Sequence, residues 1–203
     1  MKKVIYTFLL ANFFMSCGDG NNKSLEGEKG TENNGKAKVA GVPSTLSYEG
    51  SELILNGSGI RNKYFMDVYV CGLYLPEKCK NADEIIKSDG PMAVRLHIIS
   101  KLITRDNMER VVREGFVRST DGKTAAIQPQ IDELMADFKK TPVNVDDLFD
   151  MWYIPGKGLQ GYKNEKPWGP IIVCGPEYRS ALIGIWLSDD PIDPNLKNKM
   201  LGL

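Results

Sequence analysis

Beyond its first 38 residues the chain alternates short apolar runs with glycine, proline and charged breaks, the rhythm of strands joined by turns. Val39 to Val42 and Leu46 to Tyr48 read as opening strands, and Leu53, Ile54 and Leu55 give another, closed by the turn dipeptide Asn56-Gly57. Tyr64 to Leu75 follows as a longer strand, rich in aromatic and β-branched residues with Asp67 its only charge, which predicts cover on both faces and a place at the sheet centre. Asn81 and Glu84 form a helix-start pair, and Ala82, Ile85 and Ile86 give that short helix its apolar face. Val94, Leu96 and Ile98 then alternate through the next strand.

Two helices are predicted next. Thr104 caps one with an apolar stripe at Met108, Val111, Val112 and Phe116, and Ile127, Ile131, Leu134, Met135 and Phe138 mark the second. Phe149 to Ile154, Leu159 to Lys163 and Pro170 to Cys174 complete an antiparallel meander around turns at Gly156-Lys157-Gly158 and Asn164-Glu165. Pro176 opens a helix through Leu187, and Asp193-Pro194 opens a last one through Leu201. Strands grouped on either side of a helical block predict an α+β fold with an antiparallel sheet. No internal repeat is visible.

The N-terminus follows another pattern. Lys2 and Lys3 precede an apolar run from Val4 to Phe14 and then Met15, Ser16 and Cys17, the order of a secretory signal too short to span a bilayer. It resembles a lipoprotein signal over residues 1–16, with Cys17 as the acylated first residue of the mature chain, although Phe14 stands where leucine is commonest. Residues 17–38 are poor in apolar side chains, with only Leu25 and Ala37, and predict a flexible tether. A single domain over 39–203 remains, roughly 165 residues. This layout predicts a lipid-anchored protein of the cell envelope, on the periplasmic or outer-membrane face, with the leaflet left open.

Charge narrows the partners. Lys and Arg number 26 and so do Asp and Glu, so no overall field recruits nucleic acid or an anionic membrane surface. With Cys17 acylated, Cys71, Cys79 and Cys174 remain, an odd set that allows one bridge at most and does not say which. Cys71, inside a strand, reads as a small core residue. Phosphate-cradling and serine-elbow motifs are absent, and no cofactor is expected. His97 is the sole histidine and reads as a structural side chain. The pairs Asp146-Asp147 and Asp189-Asp190 read as caps of turns and helix starts, and no metal is assigned to them.

One constellation stands apart: Leu55-Asn56-Gly57-Ser58-Gly59-Ile60-Arg61, continuing through Lys63-Tyr64-Phe65 into Val68-Tyr69-Val70-Cys71-Gly72-Leu73-Tyr74-Leu75. It resembles the signature of the chalcone isomerase-like family, as do Ala181-Leu182-Ile183-Gly184-Ile185-Trp186-Leu187 with Asp190-Pro191, and Tyr153-Ile154-Pro155-Gly156-Lys157-Gly158. Ser188 replaces the family's usual glycine. The resemblance implies an open-faced β-sandwich, a large antiparallel sheet with helices packed on one face and a cleft between them. In the family's enzymes a cleft arginine steadies an anionic flavonoid during ring closure, and Arg61 matches it. The enzymes' threonine falls at Tyr69, however, and the tyrosine and asparagine of their water network have no match here. Non-catalytic relatives carry an arginine and a tyrosine that hold a fatty-acid carboxylate, which is the better match to Arg61 and Tyr69.

Physical chemistry favours the same use. A guanidinium offers a carboxylate two parallel donors, a phenol adds a third, and an apolar cleft takes the hydrocarbon. The leading expectation is therefore a fatty acid or similar amphipathic carboxylate on Arg61 and Tyr69, without catalysis. Isomerase activity through Arg61 is one alternative. A protein-interaction module with an aromatic patch at Trp152, Tyr162 and Trp168 is another. Against all three stands a purely structural role, with Arg61 paired to Asp67 or Glu49 and Tyr69 in the core.

Overall fold

A computed structural model describes residues 41–203, so the expected signal, acylated Cys17 and tether, and the expected strand residue Val39, lie outside the described residues. Strands β1 (Thr45–Tyr48), β2 (Ser51–Lys63), β3 (Met66–Leu75), β4 (Met92–Ile98), β5 (Leu148–Ile154), β6 (Gly158–Lys163) and β7 (Lys166–Ile172) pair in chain order, each antiparallel to the next. The sheet is curled, and helices α1 (Ala82–Lys87), α2 (Arg105–Ser119), α3 (Gln128–Lys140), α4 (Pro176–Leu187) and α5 (Pro194–Met200) pack on one side of it. This is the α+β open-faced sandwich that the element order and the resemblance imply.

Strand periodicity sorts the core into two faces. Met92, Val94, Leu96 and Ile98 of β4 meet the helices together with Phe149, Met151 and Tyr153 of β5. Their alternates Ala93 and Trp152 join Val70, Tyr74, Val42, Leu46 and Leu53 on the opposite face. The predicted helix starts hold: Asn81 accepts from the amides of Asp83 and Glu84, Thr104 from Asn107, and Asp193 from Asn195 and Leu196. Helix α4 is buried along nearly all its length and touches α1, α2 and α5. A Cβ on Gly115 would lie 2.9 Å from Ile185, so its absence lets α2 approach α4 closely.

Five expectations need correction. β2 does not stop at Asn56-Gly57; it runs on to Lys63, and the dipeptide forms a β-bulge at the register shift between Leu55 and Gly57. Its exposed carbonyls are satisfied by Lys78, whose ammonium donates to Leu55 O and, at 3.0 Å, to Asn56 O. The Asn56 side chain donates to Cys79 O and Met200 O and accepts from Cys79 N, each at 2.8 Å. Tyr64 and Phe65 belong not to β3 but to the turn before it, and β4 rather than β3 is the middle strand. Val42 lies outside any strand. β7 starts at Lys166, directly after Asn164-Glu165, because an edge strand tolerates Pro167 and Pro170.

The bulge decides what faces the helices. Before it, Leu53 and Leu55 point to the face away from them; after it, Ile60 does, so Gly57, Gly59 and Arg61 turn toward the helices. An extra residue in a strand reverses every later side chain. A Cβ on Gly57 would overlap the carbonyl oxygen of Lys199 in α5. Gly57→Ala is therefore expected to cost about 1–3 kcal/mol. Thermal unfolding should read this as a fall of about 2–4 °C per kcal/mol. Gly175→Ala, whose added Cβ would meet nothing within 4 Å, should leave the midpoint in place.

Candidate functional site

Arg61 on β2 and Tyr69 on β3 are directly opposed in the sheet register, so both side chains rise from the same face, beside a second register shift between Arg61 and Asn62. The guanidinium carbon stands 5.6 Å from the centre of the Tyr69 ring. Arg61 is only 7% exposed, and its Nε is buried without a hydrogen-bond partner. Neither expected partner holds it: Asp67 accepts from the Asn62 side chain, and Glu49, beyond the far end of β2, pairs with Lys157. Asp193, near this end, accepts from the amide of Asn62 at 3.3 Å and from the amides of Asn195 and Leu196.

Two other buried arginines show what an arginine with a structural role looks like. Arg95 holds Asp150 through a two-pronged pair, Nε to Oδ1 and NH2 to Oδ2, both 2.6 Å. Arg179 donates to backbone carbonyls, to Ile85 O at 2.7 Å and Gly90 O at 3.0 Å. Arg61 has neither an acid nor a carbonyl among the described residues. A guanidinium keeps its charge in proteins, and a buried charge without a partner is unfavourable.

That charge faces a cavity of about 300 Å³, at the lower end of the range for small-molecule sites. Its walls are apolar: Val68 and Leu96 from the sheet, Met108 and Val112 from α2, Leu182 and Ile185 from α4. Lys63 and Arg110 also line it, whereas no carboxylate or imidazole of the described residues does. At the Tyr69 end, the Trp186 indole N–H donates to the phenol oxygen at 3.1 Å. Indole nitrogen only donates, so the tyrosine's own proton is not used in this bond. Burial pushes the Tyr69 phenol well up from its ordinary value, and the nearby Arg61 charge offsets only part of this. The phenol stays a neutral donor.

The remaining sequence candidates lie apart from this cavity. His97 Nε2 is 3.4 Å from Asp146 Oδ1, and Asp147 pairs with Lys163 at 2.8 Å while accepting from the amide of Asn144. Asp189 and Asp190 are not helix caps; they lie in the bend between α4 and α5. Cys71, Cys79 and Cys174 are free thiols; burial raises Cys71, and Cys174 is pushed up to about 11, mainly by burial. The expected aromatic patch does not form. Trp168 packs edge-on against Phe138 and Phe149 and donates to Thr141 Oγ1 at 2.8 Å, and Trp152 is buried under Tyr48.

The profile of the chalcone isomerase-like family matches residues 35–202, nearly the whole of the described chain. The chain belongs to the chalcone isomerase-like family. No curated protein matches its sequence. Among solved structures it is similar to a fatty-acid binding protein of Arabidopsis thaliana, with a TM-score of 0.62 and 16% identity over 79% of this chain and 90% of the other. At that identity the likeness establishes the shared fold.

Within this chalcone isomerase-like domain, sequence reasoning missed several cavity residues. Met108, Val111 and Val112 read as core, yet they wall the cavity, and Trp186 gave no sign that it orients Tyr69. The contrast among arginines gives an expected outcome in ligand-free protein. Arg61→Met should leave unfolding free energy unchanged or raise it by about 1 kcal/mol, because it removes a buried charge that has no partner. Arg95→Met should lower it by about 3–5 kcal/mol, since Asp150 would be stranded. Urea denaturation of the two variants checks both signs.

Proposed function

We propose that this chain is a non-catalytic binding protein, holding a fatty acid or similar amphipathic carboxylate with its head group on Arg61 and Tyr69 and its tail in the apolar cavity. The observation that carries the reading is the buried guanidinium facing an apolar hollow with no acid of its own. A bound carboxylate would supply the missing counter-charge and accept from the Tyr69 hydroxyl as well. The lining is largely hydrocarbon, so the tail would provide most of the affinity, about 0.8 kcal/mol for each buried methylene. The fold shared with a plant fatty-acid binding protein supports the same reading. We also propose that the protein is anchored in the cell envelope by acylation of Cys17. This rests on the signal-like pattern of residues 1–16, and palmitate labelling that persists in Cys17→Ser would contradict it.

Titration of delipidated protein with palmitate tests the binding site. Arg61→Gln should weaken binding about ten-fold or more, the value of a hydrogen bond to a charged group, and Tyr69→Phe by about two- to ten-fold. Unchanged affinity in Arg61→Gln would overturn the site. The affinity should also be level from about pH 6 to about pH 9, because the raised phenol remains a donor throughout while the ligand stays ionised. It should fall toward lower pH as the carboxylate takes up a proton and loses its attraction to Arg61. A loss of affinity on the alkaline side of neutrality would show that the phenol ionises in this range and contradict its assigned role.

A further inference from the structure

The cavity mouth is bordered by Tyr64, Met66 and Leu102, all exposed, with Phe65 beside them at the tip of the β2–β3 hairpin. Tyr64 is 78% exposed and Phe65 fully so, which is unusual for two consecutive aromatic side chains on one turn. Their backbone makes the arrangement more unusual. Three hairpins of this sheet turn on two consecutive residues with positive φ: Glu49-Gly50, Tyr64-Phe65 and Asn164-Glu165. Such turns favour asparagine, aspartate and glycine, and bulky side chains adopt the conformation at a cost. Two of the three hairpins carry polar residues or glycine, while the hairpin at the mouth carries tyrosine and phenylalanine against that preference.

The surroundings of the tip fit a lipid surface. Lys63, whose ammonium lies 5.3 Å from the Tyr64 ring centre, also borders the mouth. Aromatic rings beside a lysine that can extend its stem toward head groups are the side chains favoured at a membrane boundary. Residues 18–40, between Cys17 and the described domain, could reach about 75 Å when extended. The acyl anchor proposed at Cys17 would bring the domain to a bilayer, where the apolar tip would select the face that meets it.

We propose that the β2–β3 hairpin tip, with Leu102, docks the cavity mouth on a phospholipid bilayer so that cargo passes between membrane and cavity without crossing water. The proposal rests on the fatty-acid reading, because a bilayer is where such a cargo is dissolved. The test uses the mature chain from residue 17 with Cys17→Ser, so that neither the apolar run Val4 to Phe14 nor an acyl anchor holds it to the membrane, and vesicles of phosphatidylethanolamine and phosphatidylglycerol. Transfer of a fluorescent anthroyloxy-palmitate from protein to vesicles is followed as vesicle concentration is raised.

The transfer rate should rise in proportion to vesicle concentration, the mark of collision. Phe65→Gly, which suits the turn and lies outside the cavity lining, should retain the affinity for the probe while its rate falls about ten-fold and loses the vesicle dependence. A variant that transfers like the parent would overturn docking by this tip. Failure of the parent to bind the probe would instead overturn the fatty-acid reading. Docking is then read separately by hydrogen exchange on cargo-free vesicles, where amides of residues 62–67 and 101–103 should exchange more slowly than in solution. Equal exchange with and without vesicles overturns the proposal, whatever the cargo.

Discussion

A guanidinium is held in the wall of an apolar cavity without an acid beside it, and the layout of this domain follows from where that group is held. Arg95 and Arg179 show that the same fold readily satisfies buried arginines, one with Asp150 and the other with helix carbonyls. At Arg61 the expected acids have other partners, leaving Tyr69 as its aromatic neighbour and an apolar hollow in front. An uncompensated buried charge weakens the free protein.

The position depends on a backbone irregularity. Asn56 occupies a bulge that reverses the parity of β2, and its side chain ties that bulge to Cys79 and to Met200 near the chain end. Gly57 and Gly59 leave room for α5 to lie against the strand, so the C-terminal helix braces the segment that presents Arg61. On the opposite face, Val70, Tyr74 and Trp152 form a separate cluster that does not touch the cavity. The cavity thus shares its face of the sheet with the larger core cluster, and this smaller cluster lies on the other.

Much of this was legible from residue patterns. The caps at Asn81, Thr104 and Asp193 and the two-residue turn at Asn164-Glu165 are local chemistry, and local chemistry decided them. Asn56-Gly57 was misread because the same dipeptide suits a turn and a bulge, and only the pairing with β3 distinguishes them. The α2 stripe could not be divided into core and cavity wall: helical periodicity marks the face a helix buries, not whether the facing space is filled. Trp186 and Tyr69 lie far apart in the chain, so their hydrogen bond emerges only when α4 packs onto the sheet.

The most direct measurement is a crystal structure of the domain grown with a long-chain fatty acid. The account predicts the carboxylate within hydrogen-bond reach of both the Arg61 guanidinium and the Tyr69 hydroxyl, with the tail running between α2, α4 and the sheet. A head group held at the rim by Lys63 or Arg110, or a cavity closed by its own side chains with Arg61 paired to an acid, would contradict it.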